Sequence, residues 1–138
     1  MDSSPIAELL AAIDKLDLEA AVSQFAPDAR LLTADGRRAA GFAEVHELLG
    51  DFLSTLHTTT HRITEQWQEG DTWIAELEAT YELDDWMQTS PLPRALFLRQ
   101  SDDRITDLRV YGAHEQRLTD HAEGGLGTWV HGRWVPPL

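Results

Sequence analysis

Two periodicities divide the chain. The first 56 residues repeat their apolar positions every three to four residues, and the stretch from His57 to Gly112 repeats them every two. Ser4–Pro5 opens a helix, because proline at the first position surrenders only a donor that has no helical partner. Ile6, Leu9, Leu10, Ile13 and Leu16 then form one apolar stripe. Asp17 is placed to cap a second short helix with Leu18, Ala21, Val22 and Phe25 on its buried face, and Pro27–Asp28 ends it. A short strand is expected around Arg30–Thr33, closed by the Asp35–Gly36 turn. A third helix is expected from about Gly41 to Leu56. Its stripe carries Phe42, Val45, Leu48, Leu49, Phe52, Leu53 and Leu56, and Gly50 inside it implies close packing or simple tolerance.

From His57 onward, HTTTHRITEQWQ is rich in β-branched residues and reaches the Glu69–Gly70–Asp71 turn. TWIAELEATYEL alternates cleanly, with Trp73, Ala75, Leu77, Ala79, Tyr81 and Leu83 on one face and glutamates on the other. Pro91 and Pro93 delay the next strand, expected from about Arg94 to Gln100. Ser101–Asp102–Asp103 is a hairpin turn before RITDLRVYG. Helices followed by a meander of long strands predict an α+β fold with helices on one face of a strongly curved, mainly antiparallel sheet. The inside of that curve is the natural single pocket. Residues 1–115 form the predicted domain. Residues 116–138 read as a Trp-rich extension, with Trp129 and Trp134 packing on the body or on a partner subunit.

Composition narrows the function classes. The 138 residues contain no cysteine, which removes disulfides, thiolate metal sites and a cysteine nucleophile and fits a cytoplasmic protein. The start MDSSPIAELL has neither the basic n-region nor the long apolar run of a signal peptide. Net charge is −13 and is uneven: residues 1–93 carry 18 acids and 5 bases, residues 94–138 six of each. Such a chain repels phosphate backbones and anionic lipid, so neither nucleic acid nor membrane is an expected partner. His57 and His61 lie four apart on a strand, about 13 Å between Cα atoms, too far to chelate one ion, and no metal or organic cofactor is expected.

The order of weak signals resembles a known family. Two N-terminal helices, FAPDARL, a glycine-led helix, HRI, a Gly–Asp turn, ELEATYEL and DRITDLRVYG are similar to the SnoaL-like family of the nuclear-transport-factor-2-like superfamily. The resemblance spans roughly residues 5–115. It implies a cone-shaped domain, a small hydrophobic ligand inside the cone, and a homodimer packed through the sheet. It does not imply one reaction, because fold alone does not name function.

Candidate chemistry follows residue by residue. The positions that ketosteroid isomerase chemistry would require fall on Leu9, Thr33 and Ala95, none of which can do it. The aspartate common after the last strand in cyclases is replaced by Ala113. His61 shares parity with Ile63 and Trp67, and His114 shares it with Leu108 and Val110, so both histidines are expected to face inward. Asp35 is expected at the mouth, orienting one of them. Trp67, Tyr81, Trp86, Leu96, Phe97 and Leu108 are the expected ligand-binding residues, with Glu78 as an outside candidate. Asp107, Arg109 and Tyr111 read as a convex or dimer surface, and Arg62 or Arg109 as cations neutralising the glutamate row. The leading reading is acid–base chemistry (cyclisation, dehydration or isomerisation) on a polyketide-like or similar hydrophobic compound. The alternative is a non-catalytic ligand-binding or dimerisation module.

Overall fold

The computed structural model describes residues 4–82, 89, 91–112, 128–130 and 133–135. Helix α1 (Pro5–Asp14) starts where Ser4 Oγ accepts the Ala7 N–H at 3.0 Å, and α2 (Leu18–Val22) where Asp17 accepts from Ala20. Both caps satisfy donors that helix geometry leaves open. Helix α3 (Phe42–Leu53) buries Val45, Leu48, Leu49, Phe52 and Leu53. A Cβ on Gly50 would meet Leu18 Cδ2 at 3.3 Å, so α3 packs closely on α2 at this glycine.

Strand β1 (Phe25–Leu32) starts earlier than expected, and a short β2 (Arg38–Ala40) completes its hairpin. The early start comes from Phe25, buried and paired beside Ile105. Pro27 is accommodated because the register between Phe25 and Arg30 is irregular and demands no ladder donor there. The remaining long strands are β3 (Thr58–Glu69), β4 (Thr72–Glu82), β5 (Leu92–Ser101) and β6 (Arg104–Gly112). They form one six-stranded sheet in the order β2-β1-β6-β5-β4-β3. All pairings are antiparallel except β1 with β6. In the extension, β7 (Thr128–Val130) and β8 (Arg133–Val135) pair as a small separate hairpin.

One sheet face carries the helices. Leu77, Ala79 and Tyr81 of β4, Leu96 and Leu98 of β5, and Leu108 and Val110 of β6 lie within the core formed with α1 and α3. The architecture is therefore α+β, with N-terminal helices laid across a curved sheet. Among the described residues no helix is long and apolar enough to cross a membrane.

A bulge changes what β3 presents. Ile63 pairs with Leu77, but Glu65 already pairs with Glu76, so Thr64 is an extra residue. Side chains alternate with period two, and one inserted residue therefore exchanges the faces of everything beyond it. Thr59, His61 and Ile63 stay on the helix side. Trp67, opposite Ile74, turns to the other face and is 48% exposed.

Candidate functional site

The inner ends of α1 and β3 meet at one polar contact inside apolar surroundings. Asp14 is the last residue of α1, and His61 lies on β3 opposite Ala79. Asp14 Oδ1 stands 2.6 Å from His61 Nδ1, and Asp14 Oδ2 accepts the His61 backbone N–H at 3.1 Å. One carboxylate thus holds both the ring and the strand beneath it. The His61 side chain is only 3% exposed and that of Asp14 28%. An ionised carboxylate only accepts, so Nδ1 carries the hydrogen and Nε2 becomes the basic nitrogen. The Tyr81 ring meets the imidazole edge-on at a centroid distance of 6.4 Å and meets Phe52 at 5.5 Å.

His61 lines an interior cavity together with Leu9, Leu77, Leu96, Leu108 and Arg94. The cavity volume is about 10 Å³, room for about one water molecule. Leucine side chains make up most of its described wall. Arg94 is 3% exposed. Its Nη1 donates to the Pro93 carbonyl at 3.1 Å. Gly112, opposite Arg94 in the ladder, makes room for it. A Cβ there would stand 2.5 Å from Pro93 O and 2.8 Å from Arg94 Nη1.

Several expectations change against this geometry. Asp35 does not line the cavity with His61. It sits in the β1–β2 connection, where Thr33 Oγ1 donates to it and Arg37 Nε donates at 2.9 Å, and its charge is matched there. The carboxylate that orients the histidine is Asp14. Trp67 leaves the interior because of the bulge. Phe97 also leaves it: β5 buries Leu92, Arg94, Leu96 and Leu98, which sends the odd positions outward, and Phe97 is 39% exposed against Tyr111. Glu78 lies on the outer face, paired with Arg62 at 2.7 Å. Tyr81, Leu96 and Leu108 are buried on the inner side as expected, Leu96 and Leu108 in the cavity wall and Tyr81 against His61. Leu9 is in the wall, and Ala95 faces outward opposite Tyr111. His114 and Trp86 lie outside the described residues.

Asp14 and Arg94 are the functional candidates that sequence reasoning missed. Arg94 was detectable, because it shares parity with Leu92, Leu96 and Leu98. Asp14 had no local signal, since its contact spans 47 residues. Among the described residues no group of three or more histidine, aspartate or glutamate side chains is placed to hold a metal ion.

The model of the SnoaL-like domain matches residues 6–108. No curated protein matches the chain. Solved structures do. A Catenulispora acidiphila protein with a ketosteroid isomerase-like fold, crystallised with trimethylamine, is 18% identical. Its TM-score is 0.72, covering 80% of this chain and 86% of that one. An LEH-like epoxide hydrolase of M. tuberculosis is 16% identical with TM-score 0.68, covering 78% and 79%. A candidate SnoaL-like polyketide cyclase of Shewanella putrefaciens is 10% identical with TM-score 0.68, covering 78% and 86%. At such identities these structures establish the cone fold, and the family match establishes the rest: this chain belongs to the SnoaL-like domain family.

Proposed function

We propose that this protein performs acid–base chemistry on a small hydrophobic molecule, with His61 as the proton-transfer residue and Asp14 as its orienting partner. The observation that carries the reading is a buried histidine held at both its ring and its backbone by one carboxylate, facing an apolar cavity. Asp14 keeps the proton on Nδ1, which leaves Nε2 as the nitrogen that exchanges a proton. The arginine in the same wall offers a fixed positive charge to an oxygen that becomes negative as a neighbouring C–H bond is broken. Cyclisation, dehydration and isomerisation of a polyketide-like or related compound all draw on that pair of functions. Neighbours described as an epoxide hydrolase and a candidate polyketide cyclase support small-molecule chemistry on this fold.

The test is turnover of a panel of hydrophobic ketones and hydroxyketones, followed by mass spectrometry, with wild type and a folded His61→Gln variant. Conversion by wild type that falls about 10²–10⁴-fold in the variant is expected. Equal conversion by both removes His61 from the chemistry.

One observation favours a second reading, a binding module without catalysis. A typical ligand site encloses about 300–1,000 Å³, and the cavity beside His61 holds about 10 Å³. Catalysis therefore requires the leucine wall to open around the substrate. Ligand binding without conversion of any bound compound would select the binding-module reading.

A further inference from the structure

The sheet face away from the helices carries a group of arginines that the chain does not neutralise. Arg38 of β2, Arg30 of β1, Arg109 of β6 and Arg99 of β5 all lie on it, around Asp107. With 24 acids against 11 bases in the chain, carboxylates are not in short supply. Yet of these four only Arg109 makes an ion pair with a described residue, to Asp107 at 3.4 Å. Arg30 and Arg99 stand opposite Asp107 in the ladders on either side of it, and neither is bonded to it. Cations gathered in this way repel one another, and an anion from outside relieves the repulsion.

The ladder register places three of them around one recess. Arg38 and Arg109 flank Leu32 on its two neighbouring strands, about 10 Å apart at two strand spacings, and Arg30 lies about 7 Å from Leu32 along β1. Ala40, opposite Arg30, is too small to fill the space between them. The recess measures about 230 Å³, and Arg30, Arg38, Arg109, Leu32, Ala40 and Asp107 line it. A second recess of about 310 Å³ shares Asp107 and Arg109 with the first and adds Thr72, Arg99, Phe97 and Tyr111. Phe97 is 39% exposed and Tyr111 42%, their rings edge-to-face at 5.8 Å, so this end presents aromatic surface. Two strand spacings, about 10 Å, separate Leu32 in the first recess from Phe97 in the second.

We propose that the joined recesses bind a phosphate monoester of a planar-ring compound, the chemistry of a mononucleotide. The phosphoryl group sits among Arg30, Arg38 and Arg109, and the ring lies against Phe97 and Tyr111. Guanidinium groups offer paired N–H donors that match phosphate oxygens, and aromatic side chains stack on planar rings of any identity. The charge fits. Four arginines against Glu44 and Asp107 leave two positive charges across the recesses, and a phosphate monoester carries about −1.5 to −2 at pH 7. A lone carboxylate would leave one of those charges unmatched. Glu44 is held aside, its Oε1 accepting the Ala40 N–H at 2.9 Å. The separation of the recesses leaves room for a sugar or similar linker between phosphate and ring. A longer phosphate chain is excluded, because the same face continues into Glu65, Glu69, Glu76 and Glu78 on β3 and β4. The sheet lies between this site and His61, so the proposal stands apart from the chemistry assigned to the interior.

The experiment is calorimetric titration of the full chain at low salt with AMP, phenyl phosphate, inorganic phosphate, adenosine and benzoate. AMP and phenyl phosphate should saturate the protein below about 1 mM, and inorganic phosphate, adenosine and benzoate should each bind at least about 10-fold more weakly than AMP. Arg30→Gln/Arg38→Gln should weaken AMP about 10–100-fold. Phe97→Ala should weaken AMP and leave inorganic phosphate unchanged, and Arg62→Gln, on the acidic half of the face, should change neither. Circular dichroism checks folding, and Arg38→Gln alone, on the short edge strand, repeats the test if the double variant unfolds. Failure of both AMP and phenyl phosphate to saturate wild type at several millimolar overturns the proposal, including the case in which a second copy of the chain covers the face. So does benzoate binding as tightly as phenyl phosphate, or an arginine variant that binds AMP like wild type.

Discussion

Replacing Asp14 with asparagine tests the dyad without emptying it. The side chain keeps its shape but has one acceptor and one donor where the carboxylate had two acceptors. The His61 backbone N–H can only donate, so the amide oxygen must take over the contact now made at 3.1 Å. The amide NH₂ is then left facing the ring nitrogen now 2.6 Å from the carboxylate. To accept from it, His61 must move its proton to Nε2. Asp14→Asn therefore preserves both contacts and reverses the ring: the nitrogen left to the cavity changes from acceptor to donor. Energetically, a charge-assisted bond of about 1.5–3 kcal/mol becomes a neutral one of about 0.5–1.5, a loss of about 1–2 kcal/mol. That lowers the melting temperature by about 3–8 °C in a domain of this size. Long-range ¹H–¹⁵N spectra of the imidazole read the tautomer, and calorimetry reads the stability. Wild type should show the Nδ1–H form and the variant the Nε2–H form, with turnover reduced about 10²–10⁴-fold. An Nε2–H ring in wild type, or an unchanged tautomer in the variant, would refute the reasoning.

Other substitutions separate packing from chemistry. Gly112→Ala drives a methyl into Pro93 O and the Arg94 guanidinium, so a loss of about 1–3 kcal/mol in denaturant unfolding is expected. Gly50→Ala acts the other way. Helix propensity gains about 1 kcal/mol, and the tight neighbour is only the tip of Leu18, a partly exposed and adjustable side chain, so thermal unfolding should show a small net stabilisation. Leu108→Ala in the cavity wall should cost about 2–5 kcal/mol, and the enlarged cavity should take up xenon or benzene, visible as perturbed methyl resonances of Leu9 and Leu96.

Much of the fold was readable because burial imposes a period. The stripes of α1 and α3 and the alternation of β4 appear in the structure as the sequence orders them, and Asp107, Arg109 and Tyr111 share the outer face as expected. The errors have physical sources. One inserted residue, Thr64, reverses parity within β3, and no composition signal marks a bulge in a run of β-branched and polar residues. Phe97 and Leu96 are both expected at the pocket, but Leu96 and Leu98 take the inner face and Phe97 is 39% exposed. Parity is the stronger constraint, because adjacent strand residues cannot share a face. The Asp14–His61 contact depends on how α1 lies across the sheet, a tertiary fact that a helix-terminal aspartate does not disclose. Asp35, the carboxylate expected to orient a histidine, is instead bound by Arg37, two residues away.

The central claim is that Nε2 of His61 moves a proton to or from a bound hydrophobic molecule. It is tested most directly by deuterium incorporation from D₂O into a compound that the purified protein retains or that it converts in the panel. The account predicts exchange into the carbon-bound positions of that compound with wild type, slowed by about 10²–10⁴-fold in a His61→Gln variant that still binds it. Equal exchange with both proteins would contradict it.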